Sequence, residues 1–137
     1  MVGLDLAERA VAHCNATHGR DRLDFRAGDA ENLPFADGSF DAVLNVESSH
    51  CYPDITKFFA EVARVLRPGG YLLMADLRPS ENTEDFSAVD ELRGQIEAAG
   101  LEIVDARRHH RPATWFACAA WWRRNRRCPA CSRRGRS

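Results

Sequence analysis

Acidic and amide side chains stand at the ends of short apolar segments of this sequence. Asp5, Asp29, Asn45 and Asp76 each lie at or near the end of such a segment, and Glu47 comes soon after Asn45. If the segments are parallel strands, these side chains share the sheet edge at which open α/β sheets bind ligands. One carboxylate there can accept both hydroxyls of a ribose and a second can accept an exocyclic amine, so the pattern suits a nucleoside. The alternative is that these residues only cap the helices that follow the strands.

The elements that position these side chains alternate along residues 1–106. Short, nearly continuous apolar runs predict strands over 1–6, 23–27, 41–46, 71–75 and 101–104. Apolar residues at helical spacing predict helices over 6–18, 55–66 and 83–99, with Asp54 and Thr83 as N-caps and 68–70 and Gly100 as stops. This order predicts an α/β fold with an open, mostly parallel, Rossmann-like sheet.

Charge divides the chain into two unlike parts. All 20 Asp and Glu fall within residues 1–106, whereas residues 107–137 contain arginines and no acid, so that the net charge of −1 conceals an acidic and a basic segment. Residues 107–137 follow neither the helix nor the strand period, so we expect an irregular basic C-terminal tail. No segment has the length of a membrane span and the first 20 residues lack the apolar core of a signal peptide, which predicts a cytoplasmic protein with reduced cysteines.

Four segments, in order, resemble the class I S-adenosylmethionine-dependent methyltransferases. They are VGLD (2–5), GDAENLPF (28–35), DGSFDAV (37–43) and EVARVLRPGG (61–70). Within that family, NVESSHCYP (45–53) and ADLRP (75–79) look most like the actinobacterial enzymes that O-methylate phthiotriol and phenolphthiotriol lipids. The resemblance covers residues 1–106, which we therefore expect to be a partial methyltransferase domain followed by the tail at 107–137.

The resemblance implies a role for several residues in binding S-adenosylmethionine. It makes Asp5 the acceptor for the ribose hydroxyls, Asp29 the partner of the adenine amine, and Ala30 and Glu31 neighbours of the adenine ring. It places Asn45 beside the methionyl portion of the cofactor. Gly69 and Gly70 become turn residues that enter the next strand.

His50 is the candidate general base for methyl transfer to a hydroxyl. An ordinary histidine pKa of about 6.5 allows a proton to be taken up near neutral pH. The implied reaction is O-methylation of a lipid or polyketide-type hydroxyl. A solvated or capping histidine is the alternative.

The sequence departs from the family pattern at both ends, which predicts a chain truncated at both ends. Family members begin with a strand, a glycine-rich turn and a helix before the strand that corresponds to 1–6. That first strand is the central one in the family, so the strands ending near Asp5 and Asn45 must either pair directly or leave a gap. An inactive methyltransferase remnant is therefore an alternative to an active enzyme.

The basic segment allows three further interpretations. The family continues after the strand near Val104 with an antiparallel strand, whereas this sequence continues with the arginine-rich segment. One hypothesis is therefore that residues from about 113 are translated out of frame. A second is a module that binds polyanions through the arginines and Trp121 and Trp122, although arginine runs are more often simply solvated and nucleic acid is not the expected partner. A third is zinc bound by Cys128 and Cys131, for which a single Cys-x-x-Cys is weak support, and we expect no metal.

Overall fold

The computed structural model describes residues 1–78, 87–111 and 113–122. Six strands, three α-helices and a short 3₁₀ helix lie within these residues. The strands are β1 (Val2–Asp5), β2 (Asp24–Ala27), β3 (Phe40–Val46), β4 (Leu66–Arg78), β5 (Leu101–Arg111) and β6 (Ala113–Trp122). The helices are α1 (Glu8–His18), α2 (Ile55–Val65), α3 (Ser87–Ala98) and the 3₁₀ helix Ser49–Cys51.

The strands form two separate sheets among the described residues. β1 and β2 pair in parallel, and a four-stranded sheet has the order β3-β4-β6-β5. β3 and β4 are parallel, whereas β6 is antiparallel to both of its neighbours. The predicted α/β fold with parallel strands joined by helices is confirmed.

A gap separates the strands that end near Asp5 and Asn45. No described strand pairs with the second edge of β1 or with the edge of β3 opposite β4. Of the two arrangements expected from the family resemblance, direct pairing and a gap, the structure has the gap.

The prediction of irregular backbone from residue 107 onward is wrong for 107–111 and 113–122. These residues form an antiparallel ladder that runs from Leu101 opposite Trp122 to Arg111 opposite Ala113. β6 also pairs with β4, so it lies inside the sheet with a hydrogen-bonded neighbour on each edge. The antiparallel strand that the resemblance requires is therefore present, which weakens the basis of the out-of-frame hypothesis; residues 123–137 lie outside the described residues.

Helix α2 forms where the sequence predicts it. The carboxylate of Asp54 accepts hydrogen bonds from the backbone N–H groups of Thr56 and Lys57, which confirms this residue as the N-cap. The helix gives way to strand at Leu66, and β4 makes an irregular turn before its regular ladder begins at Tyr71. Gly69 occupies the left-handed region at φ 87° in that turn, a conformation in which glycine has no Cβ penalty. For the predicted third helix, the segment that holds the proposed cap Thr83 lies outside the described residues.

The core lies on one face of the four-stranded sheet. Phe59 and Val62 of α2, Leu92 and Ile96 of α3, and Leu72 of β4 are fully or almost fully buried there. Side chains alternate between faces along a strand, so Met74 and Asp76 of β4 share this covered face with Leu72. The functional groups at the end of β4 are thus anchored in the best-packed part of the described chain.

The opposite face of β3 and β4 is open. Leu44 stands opposite Leu73 in the ladder, and Leu44, Val46, Tyr71 and Leu73 are all exposed. Parallel strands are normally covered on both faces, so this apolar surface is unusual for the fold. Among the described residues, no helix is long and apolar enough to cross a bilayer.

Candidate functional site

Asp5 is the last residue of β1, and Asp29 lies two residues after the end of β2. Asp5 Oδ1 accepts a hydrogen bond of 2.8 Å from the backbone N–H of Ala7, and Asp29 Oδ1 accepts one of 2.8 Å from the N–H of Glu31. Both carboxylates are exposed. Each therefore uses one oxygen to shape its turn and presents negative charge to solvent with the other. Neither residue caps a helix, because the N-cap of α1 is Ala7 and the next described element after β2 is a strand.

The two residues after Asp29 face inward. Ala30 packs against the hydrophobic core. Glu31 Oε1 accepts a hydrogen bond of 2.8 Å from the backbone N–H of Asp54, and its Oε2 lies 3.9 Å from Lys57 Nζ. The Glu31 carboxylate thus connects the turn after β2 to the first turn of α2. Because both of its oxygens are engaged there, Ala30 and the backbone of Glu31 remain able to line a ligand.

Arg64 fixes the loop that continues from this turn. Its guanidinium donates to the backbone oxygens of Leu33 and Phe35 at 2.9 and 2.7 Å and forms ion pairs with Asp37 and Glu61 at 2.7 and 2.6 Å. The hydrogen bond to Glu61, followed by those to Asp37, raises the pKa of Arg64 well above its ordinary value. One cation thereby holds residues 33–37 against α2.

Asn45 lies near the end of β3 and is 7% exposed. Its Nδ2 donates a hydrogen bond of 2.7 Å to the hydroxyl of Tyr52, which is also 2.9 Å from Ser48 Oγ. Its Oδ1 is buried and has no hydrogen-bond partner among the described residues. An unsatisfied buried acceptor costs roughly 1–3 kcal/mol, so a hydrogen-bond donor from a ligand would restore stability here.

His50 pairs with a fully buried carboxylate at the end of β4. Its Nδ1 lies 2.8 Å from Asp76 Oδ1, and its backbone N–H donates to Asp76 Oδ2 at 3.2 Å. The hydroxyl of Ser49, also buried, donates to Asp76 Oδ2. The imidazole itself is 41% exposed. A carboxylate at Nδ1 favours the tautomer with the proton on Nδ1, which leaves Nε2 as the basic nitrogen.

The backbone between Asn45 and His50 is strained. Glu47 has φ 49°, a left-handed conformation that non-glycine residues rarely adopt, and its N–H is held by the carbonyl of Ala75 at 2.8 Å. Its carboxylate is exposed. Strain of this kind recurs at functional sites, where the surrounding structure holds it in place.

The predicted site residues fall into two groups. Asp5 and Asp29 belong to the β1–β2 unit. Asn45 lies near the end of β3, and His50 lies in the 3₁₀ helix that follows β3, in contact with Asp76 of β4. The sequence placed Asp76 at a strand end but gave no sign of its contact with His50, and it did not single out Tyr52 at all. No group of three or more His, Cys, Asp or Glu able to hold a metal occurs within the described ranges. Cys128 and Cys131 are outside them.

A protein-family model described as a methyltransferase domain matches residues 1–74 of the chain. Two curated relatives are similar over slightly longer stretches. Phthiotriol/phenolphthiotriol dimycocerosates methyltransferase 1 of Mycobacterium ulcerans is 58% identical over 86 residues, which are 63% of this chain and 32% of that protein. The fatty-acid O-methyltransferase of Mycolicibacterium smegmatis is 57% identical over 77 residues, 56% of this chain and 28% of that protein.

A solved structure supports the same fold. A SAM-dependent methyltransferase from Methanosarcina mazei superposes with a TM-score of 0.77 at 18% identity and covers 89% of this chain and 81% of its own. The chain spans about a third of the length of the curated relatives. Since the family model covers more than half of the chain, this protein belongs to the methyltransferase-domain family.

Proposed function

We propose that the chain carries part of an S-adenosylmethionine-dependent methyltransferase that methylates a hydroxyl on a lipid or polyketide-type acceptor. The names of the two mycobacterial relatives support a lipid acceptor. The single observation that carries the proposal is the His50–Asp76 pair at the carboxyl end of the parallel strands, where this fold binds ligands. We further propose a cytoplasmic location and a partial methyltransferase domain that extends past the boundary expected at residue 106, because β5 and β6 complete its four-stranded sheet.

The residues at the strand ends fit the cofactor. Asp5 and Asp29 each have one oxygen available for the ribose hydroxyls and the adenine amine, respectively, because only Oδ1 of each is engaged by backbone in the described chain. Ala30 and the backbone of Glu31 would contact the adenine ring. The unpartnered Oδ1 of Asn45 suits a donor from the methionyl portion. When bound, S-adenosylmethionine supplies an activated methyl group, so the protein's own task is orientation and proton removal.

His50 performs the proton removal in this scheme. Asp76 would hold Nδ1–H and stabilise the imidazolium that forms, and Nε2 would take the proton from the acceptor hydroxyl. Ser49 and the backbone N–H of His50 keep the Asp76 carboxylate in place. Because Asp76 is fully buried and His50 is partly exposed, the base stays oriented yet reachable by a substrate.

A methyl-transfer assay with a hydroxylated lipid and labelled S-adenosylmethionine tests this role. We expect His50→Ala to lower the rate by about 10²–10⁴-fold, the usual contribution of a general base. We expect Asp76→Asn to lower it as well. His13→Ala, on the exposed surface of α1, is the matched histidine control and should leave the rate unchanged. Equal rates for His50→Ala and the unmodified chain would rule out the base.

The gap between β1 and β3 favours a second candidate, an inactive remnant. The cofactor would then lack one wall of its site. Absence of any binding at millimolar S-adenosylmethionine supports the remnant and refutes the enzyme. Polyanion binding by the arginine-rich tail is tested separately, by retention on heparin at moderate salt.

A further inference from the structure

We propose that Tyr52 is a positioning residue that orients the Asn45 amide, so that its oxygen receives the ammonium group of the cofactor's amino-acid portion. This inference rests on the proposed function. The site would then prefer a ligand with a cationic hydrogen-bond donor. This preference would depend on the Tyr52 hydroxyl even though that hydroxyl need not touch the ligand.

The orientation follows from the hydrogen bond between the two side chains. A primary amide has donors on its nitrogen and acceptors on its oxygen, on opposite sides of one carbon, so fixing one end fixes the other. Asn45 Nδ2 is held at 2.7 Å by the Tyr52 hydroxyl. The buried Oδ1 consequently remains the unpaired end.

Tyr52 is itself held in place. Its ring packs against Phe58 with centroids 4.9 Å apart, and Phe58 is buried in the core next to Phe59. Because the hydroxyl accepts from Asn45, its own proton is free to be donated to Ser48 Oγ at 2.9 Å. The ring packing therefore holds the hydroxyl in place beside Asn45 Nδ2.

The surroundings of Oδ1 favour a cation as the ligand group. Glu47, two residues along the chain, has an exposed carboxylate that adds negative charge at the same strand end. The Asp76 carboxylate is already engaged by Ser49 and His50, so it does not compete for the donor. Oδ1 has no access to solvent in this structure, so the ligand's ammonium must replace the atoms that now cover it.

Two ligands that differ only in the amino-acid portion provide the test. S-adenosylhomocysteine carries the ammonium, whereas 5′-methylthioadenosine has the same adenosine and thioether without it. Binding of each is measured by calorimetry to the unmodified full chain, to Tyr52→Phe and to Tyr71→Phe. We expect Tyr52→Phe to weaken S-adenosylhomocysteine about 3- to 10-fold, the effect of one hydrogen bond, and to leave 5′-methylthioadenosine within about twofold. Tyr71→Phe removes the same hydroxyl from an exposed tyrosine on the open face of the sheet and should leave both affinities within about twofold.

An equal loss for both ligands, or no loss for either, overturns the inference. If the unmodified chain binds neither ligand, the proposed function fails instead. Should Tyr52→Phe unfold at the assay temperature, Asn45→Asp is the second variant, because a carboxylate presents an acceptor in either orientation. Asn45→Asp should bind S-adenosylhomocysteine at least as tightly as the unmodified chain, and a tenfold weaker affinity would contradict the assignment.

Discussion

Arg64 and Arg67 provide a matched pair of ion pairs that differ in burial. Arg64 lies 2.6 Å from Glu61, and the two side chains are 15% and 12% exposed. Arg67 lies 2.7 Å from Asp41, and those side chains are 55% and 80% exposed. Replacing each arginine by methionine removes the charge and keeps most of the aliphatic length, so the comparison measures the combined effect of burial and of the additional contacts that Arg64 makes with residues 33–37.

The expected magnitudes follow from these contacts. Removing one partner of a fully buried ion pair costs about 3–5 kcal/mol, and a hydrogen bond to a charged group contributes about 1.5–3 kcal/mol. Arg64 is not fully buried, and Glu61 keeps its hydrogen bond from the backbone N–H of Leu33. We therefore expect Arg64→Met to lower the free energy of unfolding by about 2–4 kcal/mol. Arg67→Met should lower it by at most about 1 kcal/mol, the usual value for an exposed pair.

Urea unfolding of the two variants and the unmodified chain measures the difference, at low salt and again at 1 M NaCl. The small effect of Arg67→Met should vanish at high salt, and most of the effect of Arg64→Met should persist. Arg64→Met should also weaken cofactor binding, because the released loop 33–37 follows directly on Asp29 and Ala30. Equal losses of stability for the two variants would refute the claim that Arg64 clamps this loop.

Two further predictions concern the cap of α2 and the open face of the sheet. Hydrogen bonding from the backbone N–H of Lys57, reinforced by the Lys57 side chain and by the N–H of Thr56, lowers the pKa of Asp54. Its carboxylate therefore stabilises the fold above its ordinary pKa of about 3.9, and this contribution is lost as the pH falls through the lowered value. Asp54→Ala should reduce the free energy of unfolding at pH 7 and reduce it less below about pH 4. If the difference in unfolding free energy between the variant and the unmodified chain stayed the same down to about pH 3, the expected sign would be wrong. Leu44→Lys, at a position 72% exposed on the free edge strand β3, should leave stability within about 0.5 kcal/mol and reduce light scattering from self-association; a loss above about 1 kcal/mol would mean that Leu44 is packed.

The sequence alone was sufficient to predict those elements whose local pattern agrees with their place in the tertiary structure. The run at 41–46 and helix α2 with its Asp54 cap were predicted almost to the residue, because each carries its own periodicity and its own stop signal. The fold class followed from their alternation.

Long-range pairing accounts for what the sequence did not reveal. Residues 107–111 are all arginine or histidine, so their sequence does not predict a strand. They form one because they pair with β6, and β6 in turn pairs with β4, which is distant in sequence. The same limit applies to the site. His50 and Asp76 were each noticed, but their 2.8 Å contact joins residues 26 apart and depends on the register of β3 against β4.

Titration of S-adenosylmethionine by calorimetry into the unmodified chain, Asp5→Asn and Asp21→Asn tests most directly whether these strand ends bind the cofactor. The account predicts binding to the unmodified chain with a Kd below about 1 mM, weakening of about tenfold or more in Asp5→Asn from loss of a charge-assisted hydrogen bond, and no change in the exposed control Asp21→Asn. No binding at millimolar cofactor, or equal binding by Asp5→Asn and the unmodified chain, would contradict it.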